Sequence, residues 1–143
     1  MKTTGIVRRL DDLGRIVIPR EIRKVLNIQE NHPLEIFYDE NGIYLKKYIN
    51  ESDWEMAQKI VTPILGDCFA LLDQYGDVRR YYGAEYKKNY GEAAKDSYLK
   101  VIEIKSKDFQ PMLQGYLVVK SDFDDERANM AKGVLYNFFS SNF

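Results

Sequence analysis

Between positions 8 and 24 the chain carries five arginines and a lysine: Arg8, Arg9, Arg15, Arg20, Arg23 and Lys24. A guanidinium presents a planar fork of donors that fits phosphate and the acceptor edge of guanine, whereas an ammonium offers a point charge. With Lys2 included, residues 1–24 hold seven basic side chains against Asp11, Asp12 and Glu21, a local excess of +4. The whole chain of 143 residues has 21 Lys and Arg against 22 Asp and Glu and sums to −1. Bulk charge gives no reason to expect a polyanionic partner, so any such argument rests on placement.

The other chemistry-bearing residues read more plainly. His32 is the sole histidine, has no second ligand at metal-binding spacing, and suits a turn before Pro33. Cys68 is the sole cysteine; it opens an apolar run and reads as a small buried hydrophobe rather than a nucleophile. A lone cysteine excludes an internal disulfide and fits a reducing compartment. Asp122, Asp124, Asp125 and Glu126 are explained by a helix N-terminus. Trp54 and the tyrosines Tyr75, Tyr81, Tyr82, Tyr86 and Tyr90 could stack on a planar ligand or on single-stranded nucleic acid, but packing is the simpler reading. With no phosphate loop, triad or metal cluster in the pattern, neither enzymatic activity, cofactor nor metal is expected. No apolar run is long enough for a bilayer and no signal peptide opens the chain, so a cytoplasmic, nucleoid-associated protein without membrane contact is expected.

The elements that must position the basic residues are short. Ile6-Val7 and residues 15–18 read as strands around the turn chemistry of Asp12-Leu13-Gly14. Pro19 cannot donate to a sheet and suits the first turn of a helix. Over residues 20–26 the period becomes helical: Ile22, Val25 and Leu26 share one arc, Arg20, Arg23 and Lys24 the other. Asn27 caps this helix. Strands follow at 34–38 and 43–45, joined by a turn centred on Asn41-Gly42, a pair that tolerates positive φ. So few short elements bury little core alone, which implies that two copies fold together, each completing the other's sheet.

From residue 51 the pattern changes. Amphipathic helices at about 51–65 and 124–140 bracket strands at 68–73, 78–82, 98–104 and 115–119, with a polar, tyrosine-rich segment at 83–97. Met130, Val134, Leu135, Phe138 and Phe139 form a wide apolar stripe on the last helix. One edge of that stripe suits the sheet and another a dimer or tetramer contact.

Lys2, Thr4-Gly5-Ile6-Val7-Arg8, Asp11, Leu13-Gly14-Arg15, Val17-Ile18-Pro19, Glu21, Arg23, Leu26, Leu34-Glu35-Ile36 and Leu45-Lys46-Lys47-Tyr48 resemble an AbrB-type transcription factor domain. The resemblance covers about a third of the chain. It implies a swapped-hairpin β-barrel dimer whose DNA-facing residues fall on Arg8, Arg15, Arg23 and Lys24, with Arg9 and Arg20 beside them. Lys24 stands where relatives often carry arginine, and Asn31-His32-Pro33 replaces a glycine-containing turn. The second half is similar in element order to a shortened GAF-like regulatory domain, in which a small ligand lies between sheet and irregular segment; whether 83–97 leaves room for one stays open. The expected fold class is therefore α+β. Residues 1–50 form an AbrB-like DNA-binding and dimerisation domain, and residues 51–143 a truncated GAF-like regulatory and oligomerisation domain flanked by helices. The resemblance implies a sequence-specific regulator of growth-phase transition or sporulation type. It would bind double-stranded DNA as a homodimer or homotetramer, and the second half could sense either an unidentified small-molecule effector or a partner protein. The alternative is an antitoxin that represses its own operon, although such proteins usually end in a flexible acidic tail.

Overall fold

A computed structural model describes residues 3–105 and 113–141, the last two by backbone alone. The chain divides into two compact units, with the boundary between Tyr48 and Ile49.

The first unit opens with an extended arm that turns at Asp11–Gly14. The Gly14 N–H donates to the Asp11 carbonyl (3.1 Å) and the Asp11 N–H to the Arg15 carbonyl (3.1 Å), with Gly14 at φ +76°. This is a three-residue hairpin loop closed by a left-handed residue, where glycine is favoured. Its arms, however, are not strands. Residues 6–7 and 15–18 carry no sheet ladder, because an extended segment becomes a strand only when another strand takes its N–H and C=O groups.

Helix α1 (Arg20–Val25) follows Pro19, which precedes it with extended dihedrals. It ends in a Schellman motif: the Asn27 N–H donates to the Lys24 carbonyl (3.2 Å) and the Ile28 N–H to the Arg23 carbonyl (2.8 Å). Asn27, at φ +54°, supplies the left-handed residue that glycine usually provides, and Asn31, at φ +67°, does the same in the following turn. His32 closes that turn, donating its N–H to the Gln29 carbonyl and accepting the Gln29 N–H at Nδ1, both at 3.1 Å.

Strands β1 (Leu34–Asp39) and β2 (Gly42–Lys47) form an antiparallel hairpin with Ile36 opposite Leu45 and Tyr38 opposite Ile43. Its turn is centred on Glu40-Asn41 rather than on Asn41-Gly42. Asp39 Oδ1 accepts from the N–H groups of Asn41 (2.7 Å) and Gly42 (3.1 Å), so a side-chain cap holds the bend and Gly42 is left to absorb the positive φ.

In the second unit, a four-stranded antiparallel sheet has the order β4-β3-β6-β5: Phe69–Asp73 (β3), Val78–Tyr82 (β4), Leu99–Lys105 (β5) and Leu113–Lys120 (β6). Helices α2 (Glu51–Leu65) and α4 (Asp125–Ser141) pack on one face. There Trp54 meets Phe139 edge-on, with ring centroids 5.2 Å apart. A Cβ at Gly115 would lie 3.1 Å from the Trp54 ring and 2.3 Å from the Leu72 carbonyl oxygen, so only glycine lets β6, β3 and the indole come this close. Asn50 and Asp53 form a reciprocal capping box at the start of α2. At its end the Arg127 guanidinium donates through Nε (3.0 Å) and Nη2 (2.6 Å) to the Ile64 carbonyl, one of the acceptors a helix terminus leaves open.

Residues 83–97 contain a 3-10 turn (Ala84–Tyr86) and helix α3 (Tyr90–Lys95), the latter capped by Asn89. They cover the sheet's other face: Tyr86 and Ala93 are buried with Ala70, Leu72 and Val118. Cys68 corrects the sequence reading. It is exposed, since the strand begins one residue later, and the buried apolar run is 69–72. Its thiol is pushed upward by partial desolvation and by neighbouring Asp67. Asp124 caps α4 by accepting the Arg127 N–H (3.0 Å), in keeping with the N-terminal role assigned to the acidic run.

Candidate nucleic-acid interface

All six basic residues lie on the first unit, and all are exposed. Arg8 and Arg9 belong to the extended arm before the turn, Arg15 to its exit, and Arg20, Arg23 and Lys24 to α1. The helix makes Arg20 a neighbour of both Arg23 and Lys24, three and four residues on. Such like-charge pairs cost a few tenths of a kcal/mol each unless an anion lies across them. The Schellman motif fixes the backbone of Arg23 and Lys24, whose charges also favour the negative end of the helix.

Arg15 is held differently. Asp11 Oδ1 accepts the N–H groups of Leu13 (2.9 Å) and Arg15 (2.8 Å), and Oδ2 accepts Arg15 Nε–H (2.7 Å). These bonds, the Arg15 backbone N–H foremost, hold the Asp11 carboxyl below the usual carboxylate range. The Arg15 side chain is nonetheless 72% exposed, and it is Nε that the clasp engages. In sequence Asp11 is a charge offsetting the basic excess and one of the residues that carry the AbrB-type resemblance; its clasp on Arg15 is not among the expectations. The available signal was an aspartate three residues before a glycine and four before an arginine.

The same unit lacks an interior. Not one of the described residues 3–48 is buried. The hairpin face built from Ile36, Tyr38, Ile43 and Leu45 is uncovered, and Val7, Val25 and Tyr38 are 84%, 82% and 85% exposed. On the opposite face partial desolvation of the half-exposed Lys46 ammonium pulls it below its ordinary value, with Glu35 across the ladder opposing the shift.

Residues 7–53 match the family described as antidote-toxin recognition MazE, bacterial antitoxin. The N-terminal region is a MazE/AbrB-type domain. Stage V sporulation protein T of Bacillus subtilis (strain 168) is 67% identical over 49 residues, which are 34% of this chain and 28% of that protein. The transition state regulatory protein AbrB of the same organism is 58% identical over 48 residues, 34% of this chain and 50% of that one. The solution structure of the N-domain of the transcription factor abrB shares 58% identity over 34% of this chain and 92% of that chain, with a TM-score of 0.32. The chain thus spans between 28% and about half of the length of the curated relatives it matches.

Proposed function

We propose that the protein is a sequence-specific, DNA-binding transcriptional regulator, cytoplasmic and nucleoid-associated, acting as a homodimer or a dimer of dimers. The observation that carries this reading is a coincidence within one unit. Residues 3–48 combine six exposed cations with an apolar surface left exposed among the described residues. Water-exposed apolar area of this extent is removed most readily by a second copy, because the unladdered arms at 6–7 and 15–18 then find strand partners. The swapped-hairpin barrel is the arrangement proposed, and it doubles the local excess of +4 on one assembly. Arg8, Arg15, Arg23 and Lys24, flanked by Arg9 and Arg20, would meet phosphates and base edges of duplex DNA. Names of relatives such as transition state regulatory protein AbrB support a growth-phase or sporulation role.

The second unit, GAF-like in element order, is proposed to set the spacing between DNA-binding units and to carry regulation. Met130 is 59% and Met56 47% exposed, and the half-buried Val134 and Phe138 lie one and two turns beyond Met130 on α4, which supports a helix-mediated contact between copies. Tyr86 fills the space between sheet and covering segment, so a small-molecule effector would bind by displacing it or at the surface.

Neutralising Arg15 and Arg23 together is expected to abolish operator binding while leaving the dimer folded. Undiminished binding by a folded double variant would refute the DNA-binding reading. The antitoxin reading draws on the description of the matched family. It predicts a second half that proteases remove until a toxin captures it, whereas the regulator predicts a resistant fragment beginning near residue 49.

A further inference from the structure

One turn occurs twice in this chain, with the same bonds and a different ending. At Asp73-Gln74-Tyr75-Gly76-Asp77 the Asp73 N–H donates to the Asp77 carbonyl (2.9 Å) and the Gly76 N–H to the Asp73 carbonyl (3.0 Å). Asp73 Oδ1 accepts the N–H groups of Tyr75 (2.9 Å) and Asp77 (3.0 Å), while Oδ2 accepts Arg79 Nε–H (2.8 Å). Asp11-Asp12-Leu13-Gly14-Arg15 reproduces each of these bonds, with Arg15 Nε–H in the place of Arg79 Nε–H. In the second unit the far end of the guanidinium is used internally: Arg79 Nη1 donates to Glu51 Oε1 at 2.8 Å. In the first unit no described residue accepts from the terminal nitrogens of Arg15.

We infer that Asp11 is the positioning residue for the DNA contact of Arg15, holding Nε and the turn so that the open Nη edge is presented in one orientation. The inference rests on the DNA-binding reading above. A carboxylate beside a DNA-facing arginine is electrostatically adverse, since it repels the same phosphates that the arginine attracts. Its compensating effect is order. A long, flexible side chain fixed before binding does not lose its rotamer freedom on binding.

These two effects have opposite signs, and that makes the inference testable. Asp11→Asn keeps the Oδ1 acceptor for both backbone N–H groups, sets an amide donor against Arg15 Nε–H, and removes one negative charge per subunit. If Asp11 is a bystander, the variant binds DNA more tightly. If it positions Arg15, affinity falls by about two- to tenfold per subunit, the factor expected for ordering one rotamer-rich side chain on binding. The probe is the tightest duplex that the wild-type full chain selects from a randomised pool, bound by the full-length variants at fixed salt. Asp11→Glu, which conserves charge but moves the carboxylate, is expected to lose affinity too, and covers the case in which the asparagine variant folds poorly. In an Arg15→Ala background Asp11→Asn is expected to lose its effect, which a merely structural role in the turn would not produce. Fast exchange of the Arg15 Nε–H proton in Asp11→Asn, slow in the wild type, would report the broken clasp without DNA. Tighter binding by Asp11→Asn, or an undiminished loss in the Arg15→Ala background, overturns the inference. If Arg15→Ala and Arg23→Ala still weaken binding in that case, the DNA-binding reading survives it; a wild-type chain that selects no duplex removes both.

Discussion

The two units solve the same local problem with the same turn and differ in what surrounds it. Around Asp73 the second unit has an interior: all five residues of β3 are buried, and Trp54, Val61, Leu117 and Leu135 are shielded with them. Around Asp11 the first unit has solvent, and no described residue up to Tyr48 is buried. An arginine clasped by a turn therefore becomes a strut where a core lies beneath it and an open hand where none does. Local sequence specifies the turn. Tertiary burial decides whether its charge is consumed internally or left for a partner.

The sharpest way to widen this contrast is Trp54→Ala. Removing the indole leaves a cavity beside Phe139 and Gly115 and should destabilise the second unit by about 3–5 kcal/mol. The β1–β2 hairpin, which has its own ladder, is expected to keep its amide protection in hydrogen exchange. Loss of that protection together with the second unit would mean that the units fold as one.

Dilution probes the contrast from the other side. A unit whose apolar face is covered by a second copy loses stability with concentration, by about 2.7 kcal/mol of dimer for a hundredfold dilution, whereas a unit with its own core loses less. Trp54 is the only tryptophan and lies in the second unit, so its fluorescence follows that unit alone. The expected result is a hairpin whose amide exchange accelerates on dilution while the fluorescence transition shifts less. Exchange independent of concentration would count against the paired N-terminal fold.

This asymmetry also explains what the sequence made legible. Periodicity located α2, α4 and the central strands because their apolar faces answer to a core within the same chain. The strands expected at 6–7 and 15–18 are absent because no described residue pairs with them in a ladder, and an apolar alternation in sequence does not say where the partner groups come from. The segment 83–97 was illegible for another reason. Its helix has only six residues and buries Ala93, too short a stretch for a period to emerge. Of the candidate site, the six cations could be read from composition along the chain. The clasp on Arg15 could not, because Asp11 counts as a negative charge until its hydrogen bonds are seen.

The finest test compares the two turns through their glycines. Gly14 and Gly76 share the left-handed conformation, φ +76° and +84°, so alanine at either is strained by about 1 kcal/mol from backbone alone. Their surroundings differ. A Cβ at Gly14 meets nothing within 4 Å, whereas one at Gly76 would lie 2.6 Å from Tyr90 Cβ, at the start of α3. Tyr90 cannot swing aside by rotating its ring, because the clash is with the atom that leaves the backbone, and its N–H is bonded to the Gly76 carbonyl (2.9 Å). Gly76→Ala should therefore cost about 1–2 kcal/mol more than Gly14→Ala, the usual scale of overpacking a fitted site. Thermal melts of the two full-length variants measure that difference, with tryptophan fluorescence following the second unit and amide exchange the first. Equal costs would mean that the turn at Gly76 and α3 part easily. The covering segment would then be a loose flap over the sheet, and displacing Tyr86 would become the easy route for an effector.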